Sequence, residues 1–348
     1  MKKVNILLTS AGRRSYLVDY FRQAIGGCGK VYASNSTRIS TALEAADEAI
    51  VTPLIYDADY IPFLIDICKK KEIHAVIPLL DIDLPVIAKH KEDFQKIGTK
   101  LITSDKNILE ICNDKWKTVH FFEECGFNTV PTYLDPDTAI RDLQKGILDY
   151  PVIIKPRWGM GSIAIYEADN EEELTVLFKK VQKDVFKSYL KFESKNDIEN
   201  CVLIQKKLVG QEYGIDSICD LNGNYITTIV RKKIGMRSGE TDCAQIVSDP
   251  KIKEFGRRLA LHTKHTANMD VDLFVVDGKI FPLEMNARFG GGYPFSHAAG
   301  IDLPQAIIKW LRNEETGDEL FNEKVGLIIQ KDISMRVINV KENGRESI

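Results

Sequence analysis

The sequence contains no apolar run of 18 residues, so no segment reads as a membrane span. It has no GxxxxGK[ST], which excludes a P-loop. The turn TSAGRR after the first apolar run holds one glycine, where a dinucleotide fingerprint needs three. GMGSIA (159–164) mimics that fingerprint but leads into a strand rather than a helix. Closely spaced cysteines are also missing. The seven stand at 28, 68, 112, 125, 201, 219 and 243, and no pair is nearer than 13 residues. That excludes CxxC redox and zinc-knuckle motifs and fits reduced thiols in a cytoplasm. No charge of one sign dominates. Lys plus Arg total 47 and Asp plus Glu total 50, a net charge of −3 without the basic footprint of a nucleic-acid binder. The apolar stretch in MKKVNILLTS is too short for a signal-peptide core and reads as a first strand. The absences predict a cytoplasmic chain with neither nucleic acid nor membrane as a partner.

At roughly 150 residues per domain, 348 residues correspond to two or three domains. Through residue 110, strand signals (4–9, 30–35, 74–80, 100–104) alternate with helical ones (to Ala24, 58–71, 83–96). That alternation predicts a parallel, doubly wound sheet. Beyond it a helix is expected over 113–126, then strands in pairs with long helices: YPVIIKP (150–156), IAIYEA (163–168), CVLIQKKL (201–208), EYGIDSICD (212–220) and NYITTIVRKK (224–233). Asn222-Gly223 marks one hairpin, and DLFVV-DG-KIFPLEM (272–285) is another. The fold class is therefore α/β followed by α+β, with a boundary near 110–115.

The densest chemistry lies in FPLEMNARFGGG (281–292). Alternate residues of a strand share a face, so Glu284, Asn286 and Arg288 line one side and apolar residues the other. Hard oxygen ligands suit magnesium, and arginine suits phosphate; a solvated face or a structural ion pair would give the same pattern. Asp272, on the partner strand, adds a carboxylate. A two-residue Asp277-Gly278 turn in regular register would pair 272 with 283 and turn Asp272 away from Glu284. Both can face one metal only across a longer loop or a bulge, and such an irregularity is the expectation. Lys155 interrupts an apolar strand just before the glycine loop, where a buried amine calls for an anionic partner. Asp81 and Asp83 follow the third of these strands; they either cap the next helix or face a ligand at the sheet's carboxyl edge.

These pieces, in this order, resemble the ATP-grasp superfamily, most closely its carbamoyl-phosphate-synthase-large-subunit-like members. The run is Lys115 in NDKW, Lys155 in VIIKPRWGMGS, QKKLVGQEYGID at 205–216, Asp272, and Glu284-Met-Asn286-Ala-Arg288. The resemblance implies a Rossmann-like domain (1–112), a two-lobed ATP-grasp fold (113–315; small lid lobe about 125–205, larger lobe about 206–315) and an extension over 316–348. It implies an ATP- and Mg²⁺-dependent ligase that phosphorylates a carboxylate for attack by an amine. Lys115 and Lys155 would contact ATP, and Gly159, Met160, Gly161 and Ser162 would cover its phosphates. Gln205, Lys206 and Leu208 would form the adenine hinge, and Glu212 would take the ribose. Asp272, Glu284 and Asn286 would hold one or two Mg²⁺ ions. Arg288, with Lys155, would offset charge on the transferred group, and Arg231 or Lys232 would lie near phosphate.

Two departures stand out. Gln205 replaces a glutamate common in relatives, and Trp158 adds bulk to the glycine loop. The large synthase subunit carries two such units, whereas this chain has room for one. For the acceptor, IGMRSGETDCA (234–244) offers Arg237, Glu240 and Asp242, and GGGYPFSHAAG (290–300) offers Gly291 with His297 nearby; each also reads as a plain loop. The implied partners are a small carboxylate and an amine, with a homodimer as the assembly common among relatives. An ATP-binding regulatory or assembly module without turnover is the alternative.

Overall fold

In the computed structural model, residues 1–159 and 163–338 are described. The expected loop residues Met160, Gly161 and Ser162, and the polar tail 339–348, lie outside them. No helix among the described residues is long and apolar enough to cross a membrane.

The first layer is a parallel sheet of β1 (Ile6–Thr9), β2 (Val31–Asn35), β3 (Glu48–Val51), β4 (Ala75–Pro78) and β5 (Lys100–Leu101). Its order is β3-β2-β1-β4-β5, so the winding reverses between β1 and β4. In open α/β sheets ligands collect at the carboxyl end of such a crevice. β3 and the helices Thr41–Ala45 and Lys106–Asn113 were not anticipated, and the helix expected over 83–96 is two helices, Asp83–Ala88 and Lys91–Lys96.

A small antiparallel sheet follows, made of β6 (Thr132–Tyr133), β7 (Val152–Pro156), β8 (Tyr166–Ala168) and β9 (Val202–Lys206) in the order β6-β9-β7-β8. The helix Glu171–Lys187 covers it. Asn170 caps that helix by accepting from Glu173 N–H, and Glu171, Glu172 and Glu173 suit its positive end. The large sheet holds β10 (Gln211–Cys219), β11 (Tyr225–Arg237), β12 (Glu240–Val247), β13 (Asn268–Val276), β14 (Lys279–Asn286) and β15 (Ile328–Gln330). Its order is β14-β13-β10-β11-β12-β15, all antiparallel. Residues 234–244, read above as a loop, are a tight β11–β12 hairpin; Ser238 and Gly239, at φ 50° and 78°, make its turn. GGGYPFSHAAG contains the short helix Tyr293–Ala298.

One apolar core joins the parallel sheet to the large one. Phe21 meets Phe289 edge to face with centroids 5.9 Å apart, and Arg312 donates to the carbonyls of Lys2 and Ile25 at 3.0 and 2.9 Å. The small sheet's side reaches the same parallel layer through Tyr56. Its ring stacks on Phe192 at 4.2 Å and its hydroxyl donates to Glu193 at 2.7 Å. The parallel sheet's layer thus touches the sides of both antiparallel sheets.

Candidate functional site

The cleft floor is one face of the large sheet. The β13–β14 turn is the tight Asp277-Gly278 type, with φ 50° and 73°, and pairs Val276 with Lys279. Register then slips by one: Leu273 pairs with Pro282, and Asp272 with Glu284. The bulge foreseen from the turn chemistry is present, with the extra residue at Leu283. It puts Asp272 and Glu284 side by side on one face, and Asp270 beside Asn286. β10 and β11 extend the row, because Gly214 pairs with both Asp272 and Arg231. A side chain at Gly214 would begin 3.2 Å from Arg231 and 3.5 Å from the Asp272 carboxylate.

Two charged groups neighbour this row. Lys233 Nζ lies 2.6 Å from Glu212 and 2.7 Å from Asp272. Burial works against the Lys233 charge, but Asp272 and Glu212 outweigh it and hold its pKa above the ordinary value. Burial pushes the Asp272 carboxyl up; Asp270 and Glu284 add to this and Lys233 opposes it. Deeper, Arg231 pairs with Asp216, donates to Ser296 Oγ at 2.9 Å and reaches Asp270 at 3.2 Å. So Arg231 is committed to the sheet's own carboxylates. Lys232 pairs with Tyr213 and Gln245 and alternates onto the opposite face, and the lysine that enters the cleft is Lys233.

The roof comes from the small sheet. Lys155 is buried on β7 and donates to Gln205 Oε1 at 2.7 Å, while Gln205 Nε2 donates to Thr132 at 2.8 Å. The anionic partner expected for Lys155 is absent among the described residues; its partner is a neutral amide. Burial, with help from the Lys115 charge, lowers its pKa to about 8, against a smaller opposing effect of Glu284. That shift corresponds to roughly 3 kcal/mol in favour of the neutral amine. Lys115 opens the helix Lys115–Glu124 and donates to the Gly159 carbonyl at 2.6 Å, with Glu284 at 3.8 Å. It therefore spans from the root of the glycine loop to the acidic row. Gly159, at φ 126°, is needed there, since a Cβ would sit 2.7 Å from Leu190.

Asp114 and Arg157 fix that root. Asp114 accepts from Trp116 and Lys117 N–H, capping the helix, and takes Arg157 Nε at 2.8 Å and Nη2 at 2.7 Å. Arg157 also reaches Asp197 at 3.0 Å and lies over Trp158 at 4.4 Å. Neither Asp114 nor Arg157 stood out in sequence, although Asp immediately before a helical run is a capping signal.

The other expected residues fall as follows. Lys206 points to Asp149 at 3.5 Å, Leu208 is half-buried after β9, and Glu212 is held by Lys233. Glu284 and Asn286 have side chains without a hydrogen-bond partner among the described residues, and Asp272 is turned to Lys233. Two carboxylates and an amide in register form a donor set of hard oxygens that fits Mg²⁺. No three His, Cys, Asp or Glu side chains among the described residues make such a set without the amide. Arg288, past the end of β14, is buried between Asp81 and Asp270. Arg237 pairs with Glu240 at the hairpin tip, Glu240 reaches Lys331 at 3.3 Å, and a Cβ on Gly291 would lie 3.8 Å from the Glu240 carboxylate. Asp242 bonds Gln330 at 3.4 Å, away from the cleft row, and His297 stacks on Tyr20 at 3.6 Å. Neither Asp81 nor Asp83 caps a helix. Asp83 is fully buried and accepts from Thr9 at 2.6 Å, Ser10 at 2.8 Å and Tyr60 at 2.8 Å.

Comparison with known proteins adds the following. Residues 6–102 match the family model for a PylC-like N-terminal domain, and residues 199–331 match a model described as ATP-grasp in the biosynthetic pathway with Ter operon. Among solved structures, the biotin carboxylase domain of the Hydrogenobacter thermophilus 2-oxoglutarate carboxylase, crystallised with MgADP, ADP and bicarbonate, superposes with a TM-score of 0.73 at 18% identity, covering 94% of this chain and 74% of that one. The L-amino acid ligase of Bacillus licheniformis gives 0.71 at 18%, covering 94% and 79%. The N5-carboxyaminoimidazole synthetase of Staphylococcus aureus gives 0.67 at 14%, covering 91% and 80%. At such identities the likeness is one of fold.

The Asp114–Arg157 pair is buried, so removing one partner strands a charge. Asp114→Ala should cost about 3–5 kcal/mol of stability in urea unfolding. The double variant with Arg157→Met should recover part of that. A loss under about 1 kcal/mol for Asp114→Ala would remove the pair from this role.

Proposed function

We propose that the chain, whose residues 199–331 match an ATP-grasp model, is an ATP-dependent carboxylate–amine ligase of that type, with MgATP held between the small and large sheets. One observation carries this reading: Lys155 is a buried cation without an anion beside it, next to a second lysine and across from an acidic row. A polyanion carrying its own divalent cation satisfies both sides at once. The lysines meet phosphate, and Asp272, Glu284 and Asn286 meet metal.

Lys115 and Lys155 bind and orient the phosphates, and the glycine loop 159–162 is assigned by this reading to cover them and exclude water. Backbone groups of Lys206 and Leu208 read the adenine edge, Gln205 lends its amide there, and Glu212 takes the ribose. Bound Mg²⁺ supplies charge neutralisation along the phosphates. Arg288 and Lys155 offset charge on the transferred group, which passes to a carboxylate oxygen. The resulting acyl phosphate is attacked by an amine, with loss of phosphate. Arg237, Glu240 and Gly291 are the substrate-side residues of this proposal. The order of these motifs supports the finer likeness to carbamoyl-phosphate synthase, though with one ATP-grasp unit. The same reading divides the chain at 1–112, 113–315 and 316–348, with β15 from the extension closing the large sheet, and places it in the cytoplasm. The competing reading, a nucleotide-binding regulatory module, sits poorly with an acidic row kept in register by a bulge.

Glu284→Ala should abolish Mg²⁺-dependent ATP binding in calorimetry while leaving the thermal melt within a few degrees. Unchanged binding would remove Glu284 from the metal. Lys155 loses its charge as pH rises through about 8, so ATP affinity should fall between pH 7 and pH 9. Lys155→Arg should flatten that dependence, and an identical pH profile in the variant would contradict the phosphate role.

A further inference from the structure

Asp81 has no part in the binding scheme above, yet it is the nearest group to the arginine assigned to the phosphoryl site. Its Oδ2 accepts from Arg288 Nη2 at 2.9 Å, and its Oδ1 lies 2.9 Å from Arg288 Nε. The two residues are separated by 207 positions, and both side chains are buried. Arg288 Nη1 donates to Asp270 at 3.1 Å. Guanidinium has five N–H bonds. Nη2 and Nη1 make one bond each to these carboxylates, and Nε, though 2.9 Å from Asp81, makes none. The guanidinium fork thus keeps N–H groups that can donate to phosphoryl oxygens.

Arg288 has little else to hold it. It stands on a bend just past the end of β14, and Asp270 is shared with Arg231 at 3.2 Å. Asp81, by contrast, sits on a stiff support. It follows β4 at the point where the parallel sheet reverses its winding, two residues before Asp83. Asp83 is gripped by Thr9 and Ser10 from the end of β1 and by Tyr60 from the helix Tyr60–Lys70. Three hydroxyls on one buried carboxylate fix this loop, and the loop fixes Asp81. A charged group must be held within about half an ångström of its productive place to be effective.

We propose that Asp81 is a positioning residue that makes the Arg288 fork part of the phosphoryl site, so that the N-terminal sheet completes the ATP-grasp centre. This rests on the reading that Arg288 faces the transferred phosphoryl group.

The probe is MgADP with and without aluminium tetrafluoride, a mimic of the transferring phosphoryl group, measured by calorimetry on the full chain. Wild type should bind MgADP at least tenfold more tightly with the fluoride present. Asp81→Asn should lose most of that gain while keeping the Kd for MgADP alone within about threefold, and Arg288→Lys should lose the gain as well. The double variant should lose no more than Arg288→Lys, because coupled residues are non-additive. Asp81→Glu, which restores the charge, should regain part of the effect. A full fluoride gain in Asp81→Asn, or additive losses in the double variant, would overturn the role of Asp81 while leaving the ATP site standing. No fluoride gain in wild type, or a full gain in Arg288→Lys, would overturn the phosphoryl-site reading and the role of Asp81 with it. If Asp81→Asn does not fold, Asp81→Glu decides: an unaltered fluoride gain contradicts the proposal, and a three- to tenfold smaller gain supports it.

Discussion

A buried cation facing a neutral amide is the constraint from which the rest of the site follows. Lys155 gives up part of its basicity to sit on β7 beside Gln205, and Lys115 makes matters worse by adding a second positive charge nearby. Burying unpaired charge is expensive, and a protein keeps such an arrangement where an outside anion completes it. Lys115 is the link to the other side: it holds the Gly159 carbonyl and stands 3.8 Å from Glu284. Lys155 and the acidic row belong to different sheets, and Lys115 stands between them.

The floor depends on a single extra residue. Without the slip at Leu283, the Asp277-Gly278 turn would send Asp272 and Glu284 to opposite faces; with it they stand opposite each other in register. Lys233 then keeps the crowded carboxylates tolerable by pairing with Asp272 and Glu212. Arg231 does the same one row deeper for Asp216 and Asp270. Gly290 lets that row approach closely, since a Cβ there would lie 2.1 Å from the Asp270 carboxylate. Charge, register and glycine placement thus serve one geometry.

Much of this was legible in the sequence because it is local. The alternation in 281–288 shows the polar face of β14, and the Asp-Gly turn shows that a bulge is required. Lys155 stands out as one charge in an apolar strand. What escaped is set by tertiary pairing. Sequence alone does not separate Lys233 from Arg231 and Lys232, because which of three consecutive basic residues faces Asp272 depends on the β10–β11 register. Asp270 shares a face with Asp272 by simple alternation and was within reach of the same argument. The contact between Asp81 and Arg288 crosses domains and leaves no local signature. The β11–β12 hairpin was hidden by Gly235, Ser238 and Gly239, which read as loop while supplying a strand irregularity and a tight turn.

Phosphoryl transfer to a carboxylate is tested most directly by isotope transfer. The protein would be incubated with MgATP, ammonium or methylamine, and a panel of amino acids and small acids carrying ¹⁸O in the carboxylate. ADP release that depends on one of these acids, with one ¹⁸O found in the released phosphate, is the predicted result. Acid-dependent ADP release with unlabelled phosphate would contradict an acyl phosphate, and tight MgATP binding with no acid-dependent release across the panel would favour the regulatory reading.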